Sequence, residues 1–228
     1  MRIASANIFC LNVKPQQAIE AVAQQQADVT LLIESTPRFE RHLGALPPVR
    51  ATGLTRQGGM PISVHASKDI RVSDAHESGA GWFECRTEDV LLLAVHAIAP
   101  YLPWRWRRRR AQLAALARRL RTIAPNEHAL ALGDFNTSNE ERAWTRLADR
   151  ASTWHRLNPE TDKWRGTWPL GGMWAPIALD HALAPPHLVG DNGLTKLRTF
   201  RIPGSDHMGL VVDLPQNMVR PQDAREAG

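Results

Sequence analysis

Gly133-Asp134-Phe135-Asn136 closes the apolar run Ala129-Leu130-Ala131-Leu132, and Gly204-Ser205-Asp206-His207 precedes the apolar run Leu210-Val211-Val212. Both runs are short and bounded by turn residues, so both read as buried strands. Two carboxylates, an amide and an imidazole therefore stand at strand edges, where side chains can converge at one end of a sheet. Carboxylate oxygen binds a hard metal, an amide donates to anionic oxygen, and histidine hydrogen-bonds or carries protons. The set suits metal-assisted hydrolysis of a phosphate ester. That reaction builds negative charge on equatorial and leaving oxygens, which a metal and preorganised donors stabilise.

The elements that would position these residues alternate between strands and helices. Strands are expected over Arg2–Phe9 and Val29–Ile33, the second delivering Glu34 at its end. Pro15–Gln26 reads as a helix with Pro at its start and Ala18, Ile19, Val22 and Ala23 on one face. Several short strands fill Ile62 to Val95, with His96 directly after. Trp104–Ile123 is the longest expected helix, with Leu113, Leu116, Ala117 and Leu120 at helical spacing. A strand at Ala129–Leu132 leads to a helix capped by Asn139 and running to Leu147. Arg150 to Leu179 is Trp-rich and reads as loop, and Leu179–Leu183 and Gly209–Leu214 read as short strands.

The chain has 228 residues, 43% hydrophobic and 22% charged, which suits a single globular unit with a sizeable core. One α/β domain is expected over residues 1–215, with a polar, disordered tail over 216–228. No stretch approaches the roughly 18 apolar residues of a membrane span. The N-terminus reads as a strand rather than a leader, so a cytoplasmic location is expected. Cys10 and Cys85 make neither a disulfide framework nor a metal site and read as buried free thiols. The formal charge of +5 and pI of about 9.9 favour an anionic partner.

In chain order, Ser5-Ala6-Asn7-Ile8, Leu32-Ile33-Glu34-Ser35, Val95-His96-Ala97, Gly133-Asp134-Phe135-Asn136, Leu179-Asp180-His181 and Gly204-Ser205-Asp206-His207 resemble the motif series of the endonuclease/exonuclease/phosphatase superfamily. The resemblance runs from Arg2 to Leu214. It implies the DNase I-like fold, a four-layer α/β/β/α sandwich of two packed β-sheets flanked by helices. It also implies Mg²⁺, with Mn²⁺ as the alternative. Glu34 would be the principal ligand, with Asn7 and Asp206 close to the metal or its waters. Asp134 would orient or deprotonate the attacking water. Asn136 and His96 would hydrogen-bond the non-bridging phosphate oxygens. His207 would be a second phosphate-facing imidazole, oriented by Asp180. His181, next along the strand, should point to the opposite face.

The wording Ser-Ala-Asn-Ile and Ile-Glu-Ser-Thr looks closer to small bacterial members than to the abasic-site endonucleases, whose long DNA-inserting loops this chain has little room for. Trp104-Arg105-Trp106-Arg107-Arg108-Arg109-Arg110 follows the His96 loop. Aromatic and Arg side chains so interleaved can clamp a phosphate backbone and stack on bases. Arg105, Arg107 and Trp168 are the candidate substrate contacts, the last because Thr167-Trp168 resembles a family position near the phosphate pocket. Nucleic acid is the expected substrate. A lipid-linked or small phosphate ester is the alternative, and a non-enzymatic nucleic-acid-binding module a third reading. No obligate protein partner is expected.

Overall fold

The computed structural model describes residues 1–54, 60–78, 80–87, 90–151, 153–158, 167–170, 173–189 and 195–215, with the backbone alone at 168–170 and 173–176. The expected tail, 216–228, lies outside the described residues. In chain order the elements are β1 (Arg2–Asn7), α1 (Pro15–Ala23), β2 (Val29–Ile33), β3 (Val49–Leu54), β4 (Pro61–Ala66), β5 (Ser73–Glu77), β6 (Trp82–Arg86) and β7 (Leu91–His96). There follow α2 (Pro103–Thr122), β8 (Ala129–Asp134), α3 (Arg142–Arg150), β9 (His155–Arg156), β10 (Trp168–Leu170), β11 (Met173–Ile177), β12 (Asp180–Ala184), β13 (Lys196–Arg201) and β14 (Met208–Asp213). Short 3₁₀ turns occupy Pro37–Ala45 and Pro186–Leu188.

Two six-stranded sheets, β13-β14-β1-β2-β4-β3 and β5-β6-β7-β8-β12-β9, pack face to face. Period-two alternation explains how. Val29, Leu31 and Ile33 of β2 meet Leu92 and Ala94 of β7 and Leu130 and Leu132 of β8 in the central core. The alternate residues Leu91, Leu93, Val95, Ala129 and Ala131 face outward and are covered by Leu113, Leu116, Ala117 and Leu120 of α2. Strands covered on both faces carry unbroken apolar runs, which is why β7 reads Leu-Leu-Leu-Ala-Val. On the far side, Ala18, Ile19 and Val22 of α1 cover Ala6, Ile8 and Leu32. The layers are helix, sheet, sheet, helices, as the resemblance implies.

Two connections decide where chemistry can happen. β1 runs parallel to β2 through α1, and β7 runs parallel to β8 through α2. The carboxyl ends of these four strands therefore share one end of the sandwich. β12 is antiparallel to β8 with Asp180 opposite Asp134, and β14 is antiparallel to β1 with Leu210 opposite Ser5. Their amino ends arrive at the same place.

The structure corrects three expectations. β1 stops at Asn7 because Phe9 takes a positive φ of 58°. Asn139 does not cap α3. The N-cap is Glu141, whose carboxylate is drawn to the buried Arg109. The stretch expected as loop from Arg150 to Leu179 contains β9, β10 and β11. Among the described residues β10 and β11 form a two-stranded pair of their own, and β9 spans two residues at a sheet edge, so all three lie outside the central strands whose apolar runs mark them in sequence.

Candidate active site

Asp134 is the last residue of β8, and the backbone that carries it is shaped by Gly133. Gly133 has φ of +135°, and a Cβ there would lie 2.3 Å from the Val95 carbonyl oxygen and 2.8 Å from Ile33 Cδ1. Only glycine permits this approach, so the glycine of the Gly-Asp-Phe-Asn motif is a packing requirement. Two residues on, Asn136 turns with φ of +49°, a region its short amide side chain tolerates. Its backbone N–H donates to Asp134 Oδ1 at 2.8 Å, and its side-chain Nδ2 donates to Asp134 Oδ2 at 2.7 Å and to the Ala97 carbonyl at 2.9 Å. Asn136, expected on the phosphate, thus spends both amide hydrogens inside the protein and fixes the Asp134 carboxylate.

Asp134 is buried. Burial pushes its carboxyl up to about 7, reinforced by Asp180 and opposed by His207 and by the hydrogen bonds from Asn136 and Asn7. His207 Nε2 stands 3.8 Å from Asp134 Oδ2, and His207 Nδ1 lies 2.8 Å from Asp180 Oδ2. Burial disfavours the imidazolium, but Asp180, Asp134 and Asp206 outweigh it and raise His207 to about 10. The ring is therefore a cation that donates from Nδ1 to Asp180. Thr167 braces this pair. Its Oγ1 accepts the Leu179 and Asp180 N–H groups at 3.0 and 2.9 Å, and its carbonyl accepts the Met208 N–H at 2.8 Å. Ser205 fixes the loop before β14 by donating to the Asn7 carbonyl and accepting the His207 N–H.

Glu34 follows β2 with φ of +63°, which is unusual for a residue with a long side chain and marks a site of backbone strain. Its Oε2 accepts the Cys10 N–H at 2.8 Å, and its Oε1 accepts from Asn7 Nδ2 at 3.2 Å. Burial works against the charge, but Cys10 N–H, His96 and Asn7 hold the carboxyl below its ordinary range. Asn7 Nδ2 also donates to Asp134 Oδ2 at 3.1 Å, while Asn7 Oδ1 accepts the Phe9 N–H at 3.1 Å. Asn7 thereby clamps the two carboxylates together from below. His96 Nε2 lies 3.5 Å from Glu34 Oε1 and 3.8 Å from Asp134 Oδ2. Burial lowers His96 below its ordinary value, and its buried Nδ1 has no hydrogen-bond partner among the described residues.

Glu34, His96, Asp134, Asn136, Asp206 and His207 line one cavity of about 330 Å³, with Arg105 at its rim. The donor set fits a hard, oxygen-liganded cation. Three carboxylates face one cavity, and their joint field, after burial, is what raises the Tyr101 phenol at its mouth. Asp134, Asp180 and His207 also bring one ligand atom each within 4.8 Å of one another. Within that cluster Asp180 is already paired with His207, so Glu34 and Asp206 are the better oxygen donors for a metal.

Arg107 does not join the cavity. It lines a groove on the other side of α2 with Arg110, Arg146 and Arg150. The Trp168 side chain lies outside the described residues. His181 faces away from the cavity, its Nε2 2.8 Å from the Thr137 carbonyl and its ring 4.0 Å from that of Trp144.

Trp104 and Arg108, in the segment expected to clamp phosphate but not among its candidate contacts, stand on the cavity wall; sequence reasoning missed Tyr101 beside them and the residues that brace the wall from behind. Arg109 is fully buried. It donates to the Asn136 carbonyl and pairs with Glu141. Gln112 donates to the Gly81 and His96 carbonyls at 2.9 and 3.1 Å and accepts the Ile98 N–H at 2.9 Å. A signal for both was present. Arg109 and Gln112 continue the stripe of Leu113, Leu116 and Leu120 at three- and four-residue spacing, so they are polar residues at core positions.

Known structures share this arrangement of strands. TDP2 from Caenorhabditis elegans superposes with a TM-score of 0.69 at 19% identity, covering 92% of this chain and 74% of that one. An AP endonuclease from Archaeoglobus fulgidus superposes at 0.68 with 13% identity, covering 94% and 99%. A beta toxin mutant from Staphylococcus aureus with bound magnesium ions superposes at 0.69 with 13% identity, covering 93% and 99%. No curated protein matches the chain in sequence. The model of the endonuclease/exonuclease/phosphatase family matches residues 4–207, which takes in every motif from Ser5 to His207, and the chain belongs to that family.

Proposed function

We propose that this chain is a divalent-metal-dependent phosphodiesterase, preferring Mg²⁺, that hydrolyses nucleic acid. The observation that carries the reading is the convergence of Glu34, Asp134 and the Asp180–His207 pair on one cavity, with His96 between the carboxylates. The AP endonuclease neighbour and the magnesium bound to another support nuclease chemistry and the choice of metal.

Glu34 and Asp206 would hold the metal, with Asn7 fixing Glu34. When bound, the metal supplies Lewis-acid stabilisation of the phosphoryl oxygens. Asp134 takes the proton from the attacking water, held in position by Asn136 and Asn7. Its raised carboxyl is poised near neutral, where a base accepts a proton readily. His207, kept cationic by Asp180, donates from Nε2 to a non-bridging phosphate oxygen. His96 donates to a second, and Arg105 and Arg108 at the rim neutralise the flanking phosphate.

A second reading has its own observation. Tyr101, Leu102 and Trp104 are large, exposed side chains at or beside the cavity mouth, with Leu11 and Val13 exposed on the loop after β1. Apolar groups there suit a lipid-linked phosphate ester. Among the described residues no helix is long and apolar enough to cross a membrane.

The deciding experiment is Mg²⁺-dependent cleavage of supercoiled plasmid and single-stranded DNA, with Asp134→Ala as control. Cleavage by the native chain and none by the variant supports the nuclease. No cleavage by folded protein, with turnover of a lipid phosphate ester, supports the second reading.

A further inference from the structure

We propose that the arginine-walled groove between α2 and α3 is a second nucleic-acid contact, holding the phosphodiester backbone of a strand whose scissile bond sits in the catalytic cavity. The inference rests on the nuclease reading above and adds a site to it.

The groove encloses about 390 Å³ and is walled by Arg107 and Arg110 of α2 and by Arg146 and Arg150 of α3, over a floor that includes Leu113 and Leu147. Among the described residues no carboxylate lines it. A smaller neighbouring cleft shares Arg110 and Arg146 and extends the surface to Arg142 and Trp106. Glu141, the one acid there among the described residues, is committed to Arg109. Arg142, Arg146 and Arg150 therefore stand in one row along α3, four residues apart, facing two arginines of α2.

Like charges at this spacing destabilise a helix, and the groove adds repulsion across it. A polyanion removes that cost. The row steps by about 6 Å, from the helical rise, which is close to the separation of successive phosphates in an extended strand. Guanidinium groups bind phosphate as planar forks.

Position links the groove to the chemistry. The first turns of α2 carry Trp104, Arg105 and Arg108 on the cavity side and Arg107 and Arg110 on the groove side. Trp106 lines the neighbouring cleft on the groove side, 48% exposed. A strand leaving the cavity can cross Trp106, where a base can stack, and continue along the arginine row. A membrane surface fits less well. The apolar floor is recessed between the helices, and the other exposed aromatics, Tyr101 and Trp104, belong to the cavity mouth.

The test compares the native chain with Arg146→Glu/Arg150→Glu, both exposed and outside the cavity. Binding of a fluorescein-labelled single-stranded oligodeoxynucleotide is followed by anisotropy in EDTA across a salt series. Turnover of bis(p-nitrophenyl) phosphate is followed in Mg²⁺. The proposal expects oligonucleotide binding to weaken at least about tenfold and the slope of log affinity against log salt to fall by about 1.4, two phosphate contacts on a single strand. Turnover of the small diester stays unchanged. If the reversed pair fails to fold, Arg146→Gln/Arg150→Gln replaces it.

Superimposable titrations, with native cleavage of DNA, overturn the groove and leave the nuclease reading standing. Native binding that the variant loses, without any cleavage of DNA, keeps the groove and removes the nuclease reading. A native chain that binds no oligonucleotide, whether or not it binds phosphatidylserine vesicles, overturns the groove.

Discussion

His207 Nδ1 sits 2.8 Å from Asp180 Oδ2, and the two residues reach each other from different sheets, β12 in one and the loop before β14 in the other. The hydrogen bond thus spans the sandwich at the end where the cavity opens. Asp180→Asn removes the charge that keeps the ring cationic and aimed. Turnover should fall by about 10²- to 10⁴-fold, and the thermal midpoint should fall as well, because a buried ion pair loses one partner. NMR of the His207 ring should show its titration moved toward lower pH.

Asp134→Ala should lower turnover by at least about 10³-fold, because the proposed base and the acceptor of three fixed hydrogen bonds are lost together. Removing a buried carboxyl whose ionisation burial opposes should not unfold the chain. Near-normal activity in folded variant would refute the role given to Asp134.

Metal affinity separates the two candidate clusters. Calorimetric titration with Mg²⁺ should weaken by about tenfold or more in Glu34→Ala and change little in Asp180→Asn. The reverse order would move the metal to the cluster of Asp134, Asp180 and His207.

Arg109 supports the Asn136 turn from behind through the carbonyl it bonds and the Glu141 it pairs with. Arg109→Ala leaves both partners unmatched and should cost about 2 to 3 kcal/mol in urea unfolding. Arg109→Lys keeps the charge but cannot span both partners. It should retain most of the stability while lowering kcat, because Asn136 no longer fixes Asp134.

Stability should fall in mild acid through His181. Burial, then Arg156, depresses its pKa to about 3, while the unfolded value is about 6.5. The unfolded chain takes up the proton first, so the contribution is intact above about pH 6.5 and is lost as pH falls toward 3. By pH 5 the loss is about 2 kcal/mol. Urea midpoints at the two ends of this window, in the native chain and in His181→Phe, should show a smaller acid shift in the variant.

Much of this protein was legible without coordinates. The apolar runs before Asp134 and after His207, the helical stripe of α2, and the residue types at strand ends come from local periodicity and local chemistry. Local sequence encodes these directly, because burial of alternate residues in a strand, or of every third and fourth in a helix, leaves its mark within a few positions. Other features carry no such mark. That Arg107 and Arg108, adjacent in sequence, face a groove and a cavity respectively follows from how α2 lies on its sheet. That Asn136 serves Asp134 rather than a ligand depends on Ala97 offering its carbonyl from the loop after the neighbouring strand β7. The edge strands β3 and β13 pair on one side only and are mostly exposed or half-buried, so no buried alternation marks them in sequence. The convergence itself is tertiary. Parallel crossovers through α1 and α2, and antiparallel returns through β12 and β14, bring residues as distant as Asn7 and His207 to one end of the sandwich. Sequence alone determined which chemical groups were available and that they lie at strand ends. Only the tertiary structure decided which of them touch, because contact between distant residues is set by strand order and direction, and no local pattern encodes either.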